Sequence, residues 1–90
     1  MSGTPKNTPQ PVRNVVGLEI RRLREAKNWS QADLSRQLQL AGWDVERTVL
    51  TKIELRRRCL NDYELLIIAK VLGVSLNDLV PQRLQLKDYF

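Results

Sequence analysis

The stretch Asp44-Val45-Glu46-Arg47-Thr48-Val49-Leu50-Thr51-Lys52-Ile53-Glu54-Leu55-Arg56-Arg57-Arg58 decides how this chain is read. Wound as an α-helix at about 100° per residue, it sorts into two faces. Glu46, Val49, Leu50 and Ile53 gather on one side, mostly apolar. Arg47, Thr48, Thr51, Lys52 and Leu55 fall within roughly 140° on the other. That second face interleaves long cations with hydroxyls, and three arginines follow where the helix should end. A groove of hydrogen-bonding base edges flanked by phosphates suits such a surface. In isolation the same pattern also describes a solvated charged face, so the flanking segments have to decide.

Immediately upstream, residues 40–44 form a connection in which Gly42 is free to take positive φ. Trp43 in this turn has two readings, a ring folded back on the core or an exposed contact; burial is favoured for so large an apolar group. Either carboxylate, Asp44 or Glu46, suits the start of the following helix because of the helix dipole. Before the turn, Ser30-Gln31-Ala32-Asp33 reads as a capping box with aspartate in the usual glutamate place. It opens a helix expected from Gln31 to around Gln39 that buries Ala32, Leu34 and Leu38. Trp29, just ahead of the cap, is expected in the core as a staple. Gln31 presents its backbone amide at the helix N-terminus, where a phosphate could bind. An earlier helix, capped by Asn14 and running to about Lys27, carries Val16, Ile20 and Leu23 as one buried stripe. Asn28 fits the left-handed position that ends it.

Downstream, Asn61 and Glu64 form another capping box for a helix through Leu72. Leu65, Leu66, Ile68, Ala69 and Leu72 make it apolar over a wide arc, as a central core helix would be. Gly73 ends it, and Ser75 with Asp78 caps a short fifth helix carrying Leu76, Leu79 and Val80 before Pro81. Three regions follow: a flexible N-terminal arm over residues 1–13, a folded domain over 14–81, and a tail over 82–90. The arm, with Pro5, Pro9 and Pro11, cannot bury enough surface to fold alone, and as a basic arm it could touch DNA. The tail, with Leu84, Leu86, Tyr89 and Phe90, is open to two readings, a frayed end or a dimerisation segment pairing with a second copy.

Composition narrows the function. Ninety residues at 42% hydrophobic content make one small domain. The net charge of +5 fits a nucleic-acid or other acidic partner, and the excess is concentrated: five cations and one acid lie between Arg47 and Arg58. There is no histidine and a single cysteine, Cys59, so the usual general base, a zinc set and an internal disulfide are all missing. No enzyme, metal or other cofactor is expected. No apolar run approaches the roughly 20 residues needed to cross a bilayer, and the N-terminus lacks the apolar core of a secretion signal. A cytoplasmic protein of bacterial or phage style is expected, with no membrane partner.

Five short helices, with a cationic third joined to the second by a turn, follow a helix-turn-helix plan. Four strings carry a more specific likeness: Gly17-Leu18-Glu19-Ile20-Arg21-Arg22-Leu23-Arg24-Glu25, Trp29-Ser30-Gln31-Ala32-Asp33-Leu34-Ser35, Leu50-Thr51-Lys52-Ile53-Glu54, and Ala69-Lys70-Val71-Leu72-Gly73-Val74-Ser75-Leu76-Asn77-Asp78-Leu79. In this order, over residues 16–80, the chain resembles the Cro/phage-repressor type, often called Xre, of bacterial DNA-binding domains. The resemblance implies an all-α, compact five-helix, lambda-repressor-like fold. It implies that Ser35 fills a place where only a small side chain fits between helices two and three, and that Leu34, Leu50 and Ile53 are buried. It pairs Arg24 with Glu54 as a structural ion pair joining helices one and three. It also implies that Gln31 touches a DNA phosphate and that Arg47, Thr48 and Lys52 reach base edges. Thr51, Arg56, Arg57 and Arg58 are placed as backbone contacts. The departure is a longer connection, with residues 39–43 in excess of the family's turn, which lengthens helix two or its loop and tilts the reading helix.

The leading expectation is a sequence-specific DNA-binding regulator, a repressor, acting as a homodimer on double-stranded DNA with a palindromic operator. The alternative is a protein-interaction module on the same scaffold, such as an antitoxin or anti-repressor, using Trp43 and the 84–90 tail. RNA binding ranks third, because no aromatic lies between Arg47 and Arg58 to stack bases.

Overall fold

The computed structural model describes residues 12–82. Residues 1–11 of the expected arm and 83–90 of the expected tail lie outside the described residues, and with them the reading of the tail as a dimerisation segment. Among the described residues the fold is all-α, with α1 (Gly17–Ala26), α2 (Gln31–Leu40), α3 (Arg47–Glu54), α4 (Asp62–Leu72) and α5 (Leu76–Leu79) in order. None of these helices is long and apolar enough to cross a membrane.

Local chemistry sets most helix starts. The Ser30 hydroxyl accepts from the Asp33 amide at 3.0 Å while the Asp33 carboxylate accepts from the Ser30 amide at 2.8 Å. Hydrogen bonding to the carboxylate, from the Ser30 amide first and the Ser30 hydroxyl second, holds the Asp33 carboxyl below its ordinary value. Asn61 and Glu64 repeat the reciprocal pair on α4, and on α5 the Asp78 carboxylate accepts from both the Ser75 amide and the Ser75 hydroxyl, each at 3.0 Å. α1 begins three residues later than Asn14, but Asn14 still holds its first turn: Oδ1 accepts from the amides of Val16 (3.1 Å) and Gly17 (2.8 Å). α3 opens after Glu46, whose side chain makes no capping bond.

Four helix ends share one geometry, in which a left-handed residue lets its own amide and the next one reach back to orphan carbonyls. After α1 the residue is Asn28 (φ 60°), with the Asn28 and Trp29 amides donating to the Glu25 and Arg24 carbonyls. Gly42 does this after α2 and Gly73 after α4. After α3 the residue is Arg56 (φ 62°), its amide donating to the Ile53 carbonyl and that of Arg57 to the Lys52 carbonyl. A side chain in that conformation costs about 1–2 kcal/mol that glycine would avoid.

Ile20, Leu34, Leu38, Leu50, Ile53, Ile68, Leu72 and Leu79 are fully buried and form the centre of one core. Both tryptophans are half-buried and packed against it. Two expectations about burial need correction. Ala32 is exposed, because α2 turns its Leu34–Leu38 edge, not its first turn, to the core. Leu66 is also exposed, beside Tyr63 on the outer side of α4, and Ile67 takes the inward place instead. A wide apolar arc therefore overstates how much of a helix its neighbours cover.

Candidate nucleic-acid interface

α3 is held to the rest of the domain from beneath. Arg24 on α1 donates to Glu54 through Nε to Oε2 at 2.7 Å and Nη2 to Oε1 at 3.0 Å, both side chains being buried. Its third arm, Nη1, donates to the Trp29 carbonyl at 2.6 Å. The bidentate bond raises the Arg24 pKa against the opposing effect of burial. Glu54 is shared further: Gln31 Nε2 donates to its Oε1 at 3.0 Å, and Gln31 Oε1 accepts from the Thr51 hydroxyl at 2.8 Å. One polar chain thus runs from α1 under α3 to the start of α2 and emerges at Thr51.

The N-terminal end of α3 is set by the connection from α2. The Ser35 hydroxyl donates to the Val45 carbonyl at 2.6 Å, and Gln39 Nε2 donates to the same oxygen at 3.1 Å. Ser35 is therefore small and also a donor, a role that size alone does not reveal. At the other end, Asn14 Nδ2 donates to the carbonyls of Ile53 (3.1 Å) and Arg58 (2.9 Å), and the Arg13 amide to that of Arg56 (2.9 Å). Gly17 packs so closely there that a Cβ would collide with the Ile53 carbonyl and crowd the Arg56 side chain. Neither Gly17 nor the Asn14 bonds to the end of α3 were anticipated, since both join residues far apart in sequence.

With its underside fixed, α3 turns Arg47, Thr48 and Lys52 to solvent. Arg57 is exposed just beyond its end, and Thr51 and Arg56 are half-covered. These residues lie along one helix and its exit turn, so the structure brings them together on one rim with the start of α2, where Gln31 stands. Arg58 differs. Nη1 and Nη2 donate to Oε1 and Oε2 of Glu64, each at 3.0 Å, Nη1 also reaches the Cys59 carbonyl at 3.1 Å, and the guanidinium lies 5.9 Å from the Trp43 ring centroid. The pair lowers the Glu64 pKa and raises that of Arg58, hydrogen bonding being the larger cause in each. An arginine expected on DNA backbone thus has its charge matched within the domain. Glu64, read from sequence as a helix cap alone, serves two purposes.

A helix held by a buried ion pair, carrying cations outward and preceded by a capped partner helix, defines the helix-turn-helix class. The chain belongs to that family: the helix-turn-helix family model matches residues 20–79. Among solved structures it is similar to a protein described as a hypothetical transcription factor, NHTF, from Neisseria, at 28% identity and a TM-score of 0.66, over 88% of this chain and 87% of that one. No curated protein matches the chain.

Proposed function

We propose that this protein is a sequence-specific DNA-binding transcriptional regulator, a repressor, that lays α3 in the major groove of a palindromic operator. The observation that carries the reading is the exposure of Arg47, Thr48 and Lys52 on a helix whose opposite side is fixed by Arg24 and Glu54. Eight residues of helix span about 12 Å, short enough to lie along the groove. Arg47, Thr48 and Lys52 contact base edges, an arginine or lysine donating to guanine O6 and N7. Gln31, Thr51, Arg56 and Arg57 contact the phosphate backbone, and Gln31 does so while braced by Glu54 and Thr51. Keeping Arg56 in a conformation that favours glycine fits a cation needed at that place. One such helix reads few base pairs, so the protein acts as a homodimer on half-sites about 34 Å apart, or multiples of that. Leu76 and Val80, both exposed on or beside α5, offer apolar surface for the second copy.

Selecting bound duplexes from a random pool tests this directly. A palindrome should emerge, Arg47→Ala should relax preference at one position per half-site, and Arg57→Ala should weaken binding to all duplexes alike. Selected duplexes that bind no better than random ones at moderate salt would exclude the proposal. A second reading, a protein-interaction module, draws support from Tyr63 and Leu66, which stand exposed in a groove also lined by Ala41, Ile67 and Lys70. Under it, Leu66→Lys abolishes partner capture and leaves DNA binding intact.

A further inference from the structure

We infer that Trp43, Arg58 and Glu64 form a clamp that sets the angle of α3, and that Arg58 is a positioning residue acting through Trp43, not a phosphate ligand. The inference rests on the DNA-binding reading above. Six residues separate α2 from α3, and a connection of that length leaves the start of α3 many placements unless something restricts it. The Trp43 amide donates to the Leu38 carbonyl at 2.9 Å, and the Val45 amide to the Trp43 carbonyl at 2.8 Å. These bonds fix the backbone on the α2 side. Trp43 itself packs against the core and carries the Arg58 guanidinium over its ring. That guanidinium is gripped edge-on by both Glu64 oxygens. Glu64 is in turn locked at the first turn of α4, accepting from the Asn61 amide at 3.1 Å. The links run without a gap from α4, through Arg58, to the residue that leads into α3.

Two features argue against Arg58 as a phosphate contact. Three of its five N–H groups already have acceptors in Glu64 and the Cys59 carbonyl. A phosphate approaching the remainder would also meet the Glu64 carboxylate, a like charge within hydrogen-bond range of the same guanidinium. A planar fork held by a carboxylate and lying over an indole within cation–π range is, instead, a geometry in which arginine fixes the relative position of two segments.

The test compares Kd on a selected duplex and on a random duplex across a salt series, for wild type, Trp43→Ala, Glu64→Gln, Arg58→Met and Arg57→Ala. Glutamine at 64 keeps the capping box, so this variant folds even where Trp43→Ala does not, and thermal melts identify the variants folded at the assay temperature. Glu64→Gln removes a negative charge, and electrostatics alone would tighten binding to every duplex. The clamp gives the opposite sign for discrimination. The selected-over-random ratio falls about tenfold for Trp43→Ala and Arg58→Met, the scale of one lost base contact, and falls in the same direction for Glu64→Gln. The salt slope stays near wild type in Arg58→Met and drops by about 0.9 in Arg57→Ala, the phosphate ligand. An intact ratio in the folded variants, or a slope loss in Arg58→Met equal to that of Arg57→Ala, overturns the clamp and leaves the regulator standing. A wild type that does not discriminate between the two duplexes overturns both.

Discussion

At its C-terminal end α3 is anchored by buried charge, whereas at its N-terminal end it is attached by neutral bonds and by a ring lying beneath a guanidinium. Glu54 sits beneath the last turn in a bidentate pair with Arg24, with Gln31 as a third partner, and Gly17 and Asn14 close against the carbonyls beyond it. The first turn is located by two donors on the Val45 carbonyl and by Trp43 under Arg58. Moving the C-terminal end would strand an ion out of water, a penalty of several kcal/mol; moving the N-terminal end breaks only bonds worth about 1 kcal/mol each. Arg47 and Thr48 stand at the lightly held end and Lys52 at the firmly held one. The difference teaches that the two ends of one short helix are held by different physics, a buried ion pair at one and neutral hydrogen bonds at the other.

The largest effect tests the firm end. Glu54→Ala should cost about 3–5 kcal/mol in urea unfolding, because Arg24 is left buried without its partner. Replacing both, Arg24→Met with Glu54→Leu, should recover much of that loss; a double variant as unstable as the single would show that the anchor is not the ion pair. Next, Gly17→Ala should cost about 1–3 kcal/mol, since the added methyl meets a backbone oxygen that cannot rotate away. At the light end, Ser35→Ala should cost only about 1 kcal/mol, as Gln39 remains a donor to Val45. A cost matching that of Glu54→Ala would erase the contrast between the two ends.

The smallest effect is a pH dependence. The Glu64 carboxyl is depressed in the folded state, so its pair with Arg58 contributes stability above the ordinary glutamate value of about 4.3 and loses it as pH falls through the lower folded value. The stability gap between wild type and Glu64→Gln should therefore be present at pH 7 and close progressively below about pH 4.3. A gap that widens on acidification would reverse the assigned sign.

What the sequence made legible was local along the chain. The capping pairs Ser30–Asp33, Asn61–Glu64 and Ser75–Asp78 are three residues apart, and Asn28, Gly42 and Gly73 are residue types that accept positive φ. Arg56 shares that backbone conformation with no hint in its side chain, so it could not be found the same way. The Arg24–Glu54 pair spans 30 residues and came only through family likeness. The clamp stayed hidden because each member already had a sufficient local explanation: Trp43 as turn or core, Glu64 as cap, Arg58 as one cation in a run of three. Ala32 and Leu66 were misplaced because periodicity finds an apolar stripe but not its covered edge.

The Arg13 amide is tied to the Arg56 carbonyl, which fixes where the preceding polypeptide departs: beside the exit of α3, on the rim carrying Arg56 and Arg57. Removing that amide, as in Arg13→Pro, would free the exit turn of α3 on the side where Arg56 and Arg57 stand.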